Sequence, residues 1–165
     1  MSETMKNLAE AFAGESQANR RYIAFAEKAE EEGFPNVARL FRAAAESETV
    51  HALSHLRVMG GVGTTLENLR RAKEGEDYER QEMYPAFIEQ ARAEGMPEAE
   101  TSFLWASKAE EAHSRLYQEA IEAVESGRDA DIGALHVCQR CGYTVAGEPP
   151  ERCPVCGATE FREVE

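Results

Sequence analysis

The sequence is poor in basic residues, because 18 lysines and arginines stand against 31 aspartates and glutamates, for a formal net charge of −13. Nucleic acids and anionic membranes are bound through basic patches, so we expect neither as a partner. The sequence also lacks any run of the roughly 20 apolar residues that a membrane-spanning helix needs. Its first residues lead directly into an amphipathic pattern, so we expect no secretory leader and a cytoplasmic protein.

Cysteine is absent before position 138, and the sequence then has two Cys-x-x-Cys pairs, each followed by glycine. In a reducing compartment this pattern indicates a metal site before disulfides. Four thiolates form a tetrahedral site that suits iron or zinc. The predicted ligands are Cys138, Cys141, Cys153 and Cys156. Because residues 134–165 are too few to bury a useful apolar core, we expect the metal to hold this segment together.

Apolar residues recur at helical spacing through most of the chain before this segment, and glycine and proline interrupt the pattern. The predicted helices span about 3–32, 35–59, 65–94 and 97–126. We therefore predict an all-α four-helix domain over 1–130 and a small irregular or β domain over 134–165. We assign Phe41, Phe103 and Trp105 to core packing and His136 to the exposed surface.

The helical region repeats itself after a shift of 62 positions, and the matches include turn residues as well as polar residues. The shift aligns Tyr22 with Tyr84, Gly33 with Gly95, Pro35 with Pro97, Glu48 with Glu110 and His51 with His113. Such agreement is typical of a duplicated helix hairpin.

Two Glu-x-x-His pairs occupy equivalent places in this duplication, at Glu48–His51 and Glu110–His113. Side chains three positions apart lie on one face of a helix, so each pair can bind one metal. The partner helices supply Glu15, Glu76 and Glu79. A Glu from each of two helices plus Glu-x-x-His from each of the other two is the ligand arrangement of ferritin-like di-iron proteins. The alternative is a solvated acidic helix face, which the symmetric positions of these residues disfavour.

The two halves of the helical region differ in the spacing between one ligand candidate and its tyrosine. Glu15 lies seven positions before Tyr22, and the equivalent position before Tyr84 is Asp77. The better ligand candidate, Glu76, lies eight positions before Tyr84. One extra residue in a helix is commonly accommodated as a π-bulge, so we predict a π-bulge between Glu76 and Tyr84.

Glu79 has no carboxylate counterpart in the first hairpin, where Gln17 stands, so the predicted metal centre is asymmetric. Tyr22 and Tyr84 are candidate catalytic residues, since each hydroxyl can donate a hydrogen bond to peroxide or to a ligand carboxylate. The alternative is that both are core aromatic residues.

Together these motifs make the chain resemble rubrerythrin over essentially its whole length. The resemblance is carried by Ala13-Gly14-Glu15-Ser16-Gln17, Glu48-x-x-His51, Gly75-Glu76-x-x-Glu79-x-x-Glu82-Met83-Tyr84-Pro85, Glu110-x-x-His113 and the rubredoxin-like cysteine pairs. It implies a ferritin-like fold with two non-haem irons and one tetracysteine iron, with zinc possible in recombinant material. The implied activity is reduction of hydrogen peroxide to water in oxidative-stress defence. Electrons would come from an upstream reductase or rubredoxin and pass through the tetracysteine iron.

The same resemblance implies individual ligand roles. Glu48 and Glu110 would bridge the two irons, and Glu15 would be a terminal ligand of one iron. Glu76 and His113 would bind the other iron. Glu79 and His51 would alternate as ligands of the first iron when its redox state changes.

Two other functions remain open on the sequence alone: iron storage or ferroxidase action as in ferritins, and electron transfer or a structural role with zinc on the cysteines. The chain between the hairpins, residues 60–65, extends over roughly 20 Å at most, whereas a bundle-length crossover needs about 30 Å. The hairpins therefore either pack up-down or are exchanged between two chains, and we favour a homodimer with exchanged hairpins. In such a dimer the tetracysteine domain could serve the other subunit's di-iron site.

Overall fold

The computed structural model describes residues 2–164, and the chain divides into two compact units, Met1–Gly63 and Thr64–Glu165. The first unit is a helix hairpin, and the second contains the remaining helices and a small sheet. This division differs from the boundary at 130–134 that composition indicates, so the two-domain assignment stays a prediction. None of the helices within residues 2–164 is long and apolar enough to cross a membrane.

The first unit consists of helix α1, Glu3–Glu31, and helix α2, Pro35–Val58. The Ser2 hydroxyl caps the start of α1 by accepting a hydrogen bond from the Met5 N–H at 3.3 Å. Gly33 ends the helix with a φ of 81°, a conformation that glycine adopts without strain. The two helices pack through small residues, with Ala26, Ala29 and Ala38 forming the buried cluster.

The second unit begins with a nearly continuous helical stretch, and Thr64 and Glu67 form a capping box at its start. This stretch comprises α3, Thr65–Tyr78, a π-helical segment, Glu79–Met83, and α4, Tyr84–Ala93. Helix α5, Pro97–Glu125, follows. The predicted helices are confirmed to within one residue at each end, and the π-helical segment lies within the stretch where a π-bulge was predicted.

Each hairpin contains a cluster of three aromatic rings, and the distances between ring centroids are almost the same in the two clusters. The centroid separations are 6.3, 6.2 and 5.6 Å in the first hairpin and 6.4, 6.2 and 5.5 Å in the second. The rings are those of Tyr22, Phe25 and Phe41 and, 62 positions later, Tyr84, Phe87 and Phe103. The duplication predicted from the sequence thus extends to side-chain packing, which confirms the packing role predicted for Phe41 and Phe103.

The tetracysteine region, residues 134–165, contains a three-stranded antiparallel sheet of β1, Leu135–Cys138, β2, Thr144–Ala146, and β3, Phe161–Val164. Strand β1 is central, in the order β2-β1-β3. The prediction that His136 is exposed is wrong, because the residue is half-buried and its Nδ1 is buried without a hydrogen-bond partner among the described residues.

Trp105 also differs from its predicted role. Its ring lies on α5 and is half-buried, with the Arg140 guanidinium 5.1 Å from the ring centroid. Arg140 lies between the first two cysteines, so a cation–π contact joins α5 to the tetracysteine region. Trp105 therefore contacts a neighbouring structural element rather than filling a helical core.

Candidate metal centres

The four cysteines converge on one point of the tetracysteine region, with their sulfur atoms within 4.8 Å of one another. The Cys138 and Cys156 sulfurs are 3.6 Å apart, and the Cys141 and Cys153 sulfurs are 3.5 Å apart. A tetrahedral metal with bonds of about 2.3 Å to sulfur places its ligands roughly 3.8 Å apart. All four cysteines are free thiols, so the geometry fits a metal site.

Backbone amides of the first cysteine turn favour the thiolate of Cys138. Burial opposes ionisation of this thiol, but hydrogen bonds from the N–H groups of Arg140 and Cys141 lower its pKa to about 7. Burial raises the pKa of Cys141 and of Cys156. Without a cation, the cluster therefore resists full ionisation, and a bound metal would supply the missing positive charge.

The first hairpin brings together Glu15, Glu48 and His51, which we call the first donor set. The ligand atoms of this set lie within 4.8 Å of one another, and His51 Nδ1 is 2.9 Å from Glu48 Oε2. Asn19, one turn after Glu15, is buried and donates hydrogen bonds to the Ala45 carbonyl and the Thr49 hydroxyl. Asn19 thereby fixes the alignment of α1 against α2, a role that the sequence analysis missed.

The second hairpin brings together Glu76, Glu110 and His113, which we call the second donor set. His113 Nδ1 lies 2.7 Å from Glu110 Oε2 and 3.7 Å from Glu76 Oε2. The set occupies the positions that the sequence predicts, with Glu76 at the end of α3 and the other two residues on α5.

Negative charge is concentrated in the second donor set. Burial and the adjacent Glu110 carboxyl raise the pKa of Glu76 to about 7. Burial also acts against ionisation of Glu110, but hydrogen bonds from His113 and Glu76 lower the pKa of Glu110. The Glu110 hydrogen bond raises the pKa of His113 more than burial lowers it. In the metal-free protein the two carboxyl groups therefore share a proton and His113 favours its cationic form, so protons occupy the place of a metal.

Glu79, the predicted surplus ligand, begins the π-helical segment and lies outside the second donor set. Its side chain is half-buried, and burial and the Glu110 charge raise its pKa. The structure thus places Glu79 near the second donor set without grouping it with the three ligand candidates.

Tyr84 and Tyr117 lie close to the second donor set. Burial raises the pKa of both hydroxyls, and the charges of Glu76 and Glu110 raise both further. Both hydroxyls therefore stay protonated and able to donate hydrogen bonds at neutral pH. Tyr22, the other predicted tyrosine, belongs to the aromatic cluster of the first hairpin. Tyr117 was not among the predicted residues, although its position four residues after His113 places both on one face of α5.

Asp77 and Thr144 are two further polar residues beside the second donor set. Asp77 accepts hydrogen bonds from Lys73 and Ser114, which lower its pKa to about 2. Thr144 Oγ1 lies 2.8 Å from His113 Nε2. Because 31 positions separate Thr144 from His113, no local sequence pattern could have revealed this contact.

Both kinds of donor set suit iron. Carboxylates are hard ligands that neutralise and bridge cations, and imidazole adds affinity without adding charge. Thiolates are soft ligands, and a tetrahedral set of four is typical of iron–sulfur or zinc sites. Burial and the adjacent Glu110 carboxyl raise the pKa of Glu76, and a bound cation would offset both effects. The residues present therefore fit a di-iron carboxylate centre and a rubredoxin-like iron centre.

Comparison with known proteins identifies both parts of the chain. Residues 6–121 match the family model described as rubrerythrin, and residues 136–161 match the model of the rubrerythrin rubredoxin-like domain. Rubrerythrin-2 of Clostridium acetobutylicum is 39% identical over 164 residues, which cover 91% of this chain and 89% of that protein. Nigerythrin of Nitratidesulfovibrio vulgaris is 35% identical over 170 residues, covering 94% of this chain and 83% of that protein.

Solved structures agree with the sequence comparison. A partially reduced state of nigerythrin shares 33% identity, with a TM-score of 0.58 over 99% of this chain and 88% of that chain. A fully reduced, all-ferrous state of nigerythrin aligns over the same shares with a TM-score of 0.57. These similarities confirm the predicted fold class, a ferritin-like helical region followed by a small rubredoxin-like region.

Proposed function

Because the chain belongs to the rubrerythrin family, we propose that it is a non-haem di-iron peroxidase that reduces hydrogen peroxide to water. Electrons from an upstream reductase or rubredoxin reach the di-iron centre through the rubredoxin-like tetracysteine iron. The observation that carries this proposal is the presence, in one chain, of two carboxylate–histidine donor sets and a four-cysteine site. The role is defence against oxidative stress in the cytoplasm, where thiols stay reduced and available to metal.

The di-iron centre combines the two donor sets, as in other ferritin-like proteins. The first donor set contributes Glu15, Glu48 and His51, and the second contributes Glu76, Glu110 and His113. Glu79 is the additional ligand that makes the centre asymmetric. Glu79 is half-buried and its pKa is raised. Both features support its role as a ligand, because an acidic side chain with no cation beside it is costly to bury.

A homodimer with exchanged hairpins explains how complete centres form. Helix α2 ends at Val58 and α3 begins at Thr65, so the connection reaches only roughly 20 Å when extended. The 24-residue helix α2 alone is about 36 Å long. Apolar side chains remain exposed on both hairpins, among them Leu40 at 67%, Phe25 at 47% and Phe87 at 43%. The hairpins of a second chain would bury these side chains.

Two ferrous ions held by the two donor sets would supply the two electrons that convert one hydrogen peroxide and two protons into two waters. An iron held by the four cysteines would return those electrons one at a time. The chain supplies protons and orientation. Tyr84 retains its proton because burial and the neighbouring carboxylates raise its pKa, so it orients peroxide as a hydrogen-bond donor. Tyr22 has the equivalent role from the first hairpin.

Removing one cysteine ligand separates the two parts of the proposal. In Cys138→Ser, the carboxylate–histidine donors remain, so the reduced protein should still consume one equivalent of peroxide. Steady-state peroxide consumption with an electron-donating reductase should fall at least about tenfold, because electrons no longer enter through the tetracysteine iron. Glu110→Ala should lose both reactions. Undiminished steady-state consumption by Cys138→Ser, with iron confirmed absent from the cysteines, would contradict the relay.

A further inference from the structure

The imidazole of His113 is held from two sides. Its Nδ1 faces the carboxylates of Glu110 and Glu76, at 2.7 and 3.7 Å. Its Nε2 lies 2.8 Å from Thr144 Oγ1, which belongs to strand β2 of the tetracysteine region. One side chain therefore joins the second donor set to the region that carries the other metal site.

Metal binding at Nδ1 would set the direction of the hydrogen bond at Nε2. Nδ1 is the nitrogen that faces the carboxylates, so it is the one available to a metal, and Nε2 must then carry the ring proton. With a metal on Nδ1, Nε2–H would donate to Thr144 Oγ1, and the Thr144 hydroxyl donates in turn to the carbonyl oxygen of Gly142, 3.4 Å away. Thr144 is only 8% exposed, so water cannot readily replace it as the acceptor.

We propose that Thr144 is a positioning residue for metal binding by the second donor set. By accepting the Nε2 proton, Thr144 holds the His113 ring with Nδ1 directed at Glu76 and Glu110. Metal binding by these carboxylates therefore depends on the docking of the tetracysteine region on α5. The inference rests on the metal-binding part of the proposed function but not on the reduction of peroxide.

The two donor sets differ in how firmly their histidine is held. His51 makes the equivalent Nδ1 contact with Glu48, at 2.9 Å, but its side chain is 52% exposed, against 31% for His113. A second contact holds the tetracysteine region on the same helix, since Arg140 lies over the Trp105 ring. Hydrogen-bond acceptors behind metal-binding histidines fix their orientation, and removing one typically weakens metal binding by about 10- to 100-fold.

The test compares three variants of the full-length protein with zinc loaded on the cysteines. Thr144→Val removes the acceptor while keeping the side-chain shape, and Thr144→Ser keeps the hydroxyl. Thr101→Val is the matched control, because Thr101 is exposed on α5 and its hydroxyl donates to the Pro97 carbonyl of its own helix. Cobalt(II) alone is the probe, and its absorption at the carboxylate–histidine donors reports binding without any enzyme turnover.

We expect Thr144→Val to weaken cobalt binding by about tenfold or more, and Thr144→Ser and Thr101→Val to stay within about twofold of the wild type. Cobalt binding by Thr144→Val within twofold of the wild type would overturn the proposal. Zinc content at the cysteines and circular dichroism verify that the variant is folded.

A second measurement uses the wild type alone and so does not depend on the folding of any variant. Nitrogen-15 spectra of the protein loaded with zinc, a diamagnetic ion, should show the His113 proton on Nε2 and protected from exchange with solvent. A proton on Nδ1, or an Nε2 proton that exchanges freely, would overturn the proposal. Neither measurement involves peroxide, so a failure of the proposal for Thr144 can be distinguished from a failure of the peroxidase proposal.

Discussion

The Ser114 hydroxyl donates a hydrogen bond of 2.6 Å to the Asp77 carboxylate, at the position where strict repetition of the hairpin would place the counterpart of Glu15. Lys73 and Arg80 also bind this carboxylate, at 2.6 and 3.2 Å. Asp77 is thus fully engaged in polar contacts of its own, and Glu76 belongs to the second donor set in its place.

Ser114→Ala should lower the free energy of unfolding by about 2 kcal/mol, because hydrogen bonds to charged groups contribute about that much. The low pKa of Asp77, about 2, means that its ionised form is favoured by folding at any pH above its ordinary value of 3.8. The loss of unfolding free energy in Ser114→Ala should therefore be constant from pH 5 to 8 and shrink as the pH falls toward 2. Chemical denaturation measures it, with the exposed Ser102→Ala as control. A loss that varied between pH 5 and 8 would contradict this account.

Deleting Gln81, an exposed residue of the π-helical segment, should restore an ordinary α-helix. The deletion rotates α3 by about 100° relative to α4 and moves Glu76 away from α5. Metal analysis should then show loss of iron from the carboxylate donors, with the tetracysteine metal retained. Gln81→Ala, which keeps the chain length, should bind iron as the wild type does. Full iron content in the deletion variant would mean that the segment has no part in positioning Glu76.

Metal binding should release protons in a pH-dependent way. Glu76, with its pKa raised to about 7, and His113, with its raised pKa, both hold protons at pH 6 that a metal must displace. At pH 8 fewer protons remain, so apparent affinity should rise from pH 6 to 8 while proton release falls. Calorimetry with cobalt(II) in two buffers of different ionisation enthalpy counts these protons, and Glu76→Gln should release fewer at pH 6. Equal proton release at both pH values would argue against the charge distribution described.

Tyr84→Phe should slow the oxidation of reduced protein by peroxide at least about tenfold, since a positioned hydroxyl donor is lost. Iron content should be unchanged, because the hydroxyl is not a proposed ligand. Tyr78→Phe is the matched control, since Tyr78 is exposed on the same helical stretch. Rapid mixing with peroxide measures the rate, and an unchanged rate would assign Tyr84 to aromatic packing alone.

Much of this architecture could be predicted because its determinants are local. Helix ends follow from glycine and proline, and the π-helical segment follows from the count of residues between Glu76 and Tyr84. The contacts of Asn19, Asp77 and Thr144 could not be predicted, because each depends on how separate elements pack. Asn19 bonds to residues 26 and 30 positions away, and Thr144 to one 31 positions away. Periodicity identifies the face of a helix but not the element that contacts it.

The central claim is that the reduced protein transfers electrons to hydrogen peroxide, and anaerobic stopped-flow spectroscopy of the fully reduced protein tests it most directly. An oxidised iron–tetracysteine centre is red and its reduced form is nearly colourless, so its visible absorption reports reoxidation. Mixing with peroxide should restore the colour in proportion to the peroxide added, and much faster than mixing with dioxygen. Protein that stayed bleached with peroxide, or that reacted faster with dioxygen, would contradict a peroxidase and favour a ferroxidase or an oxidase.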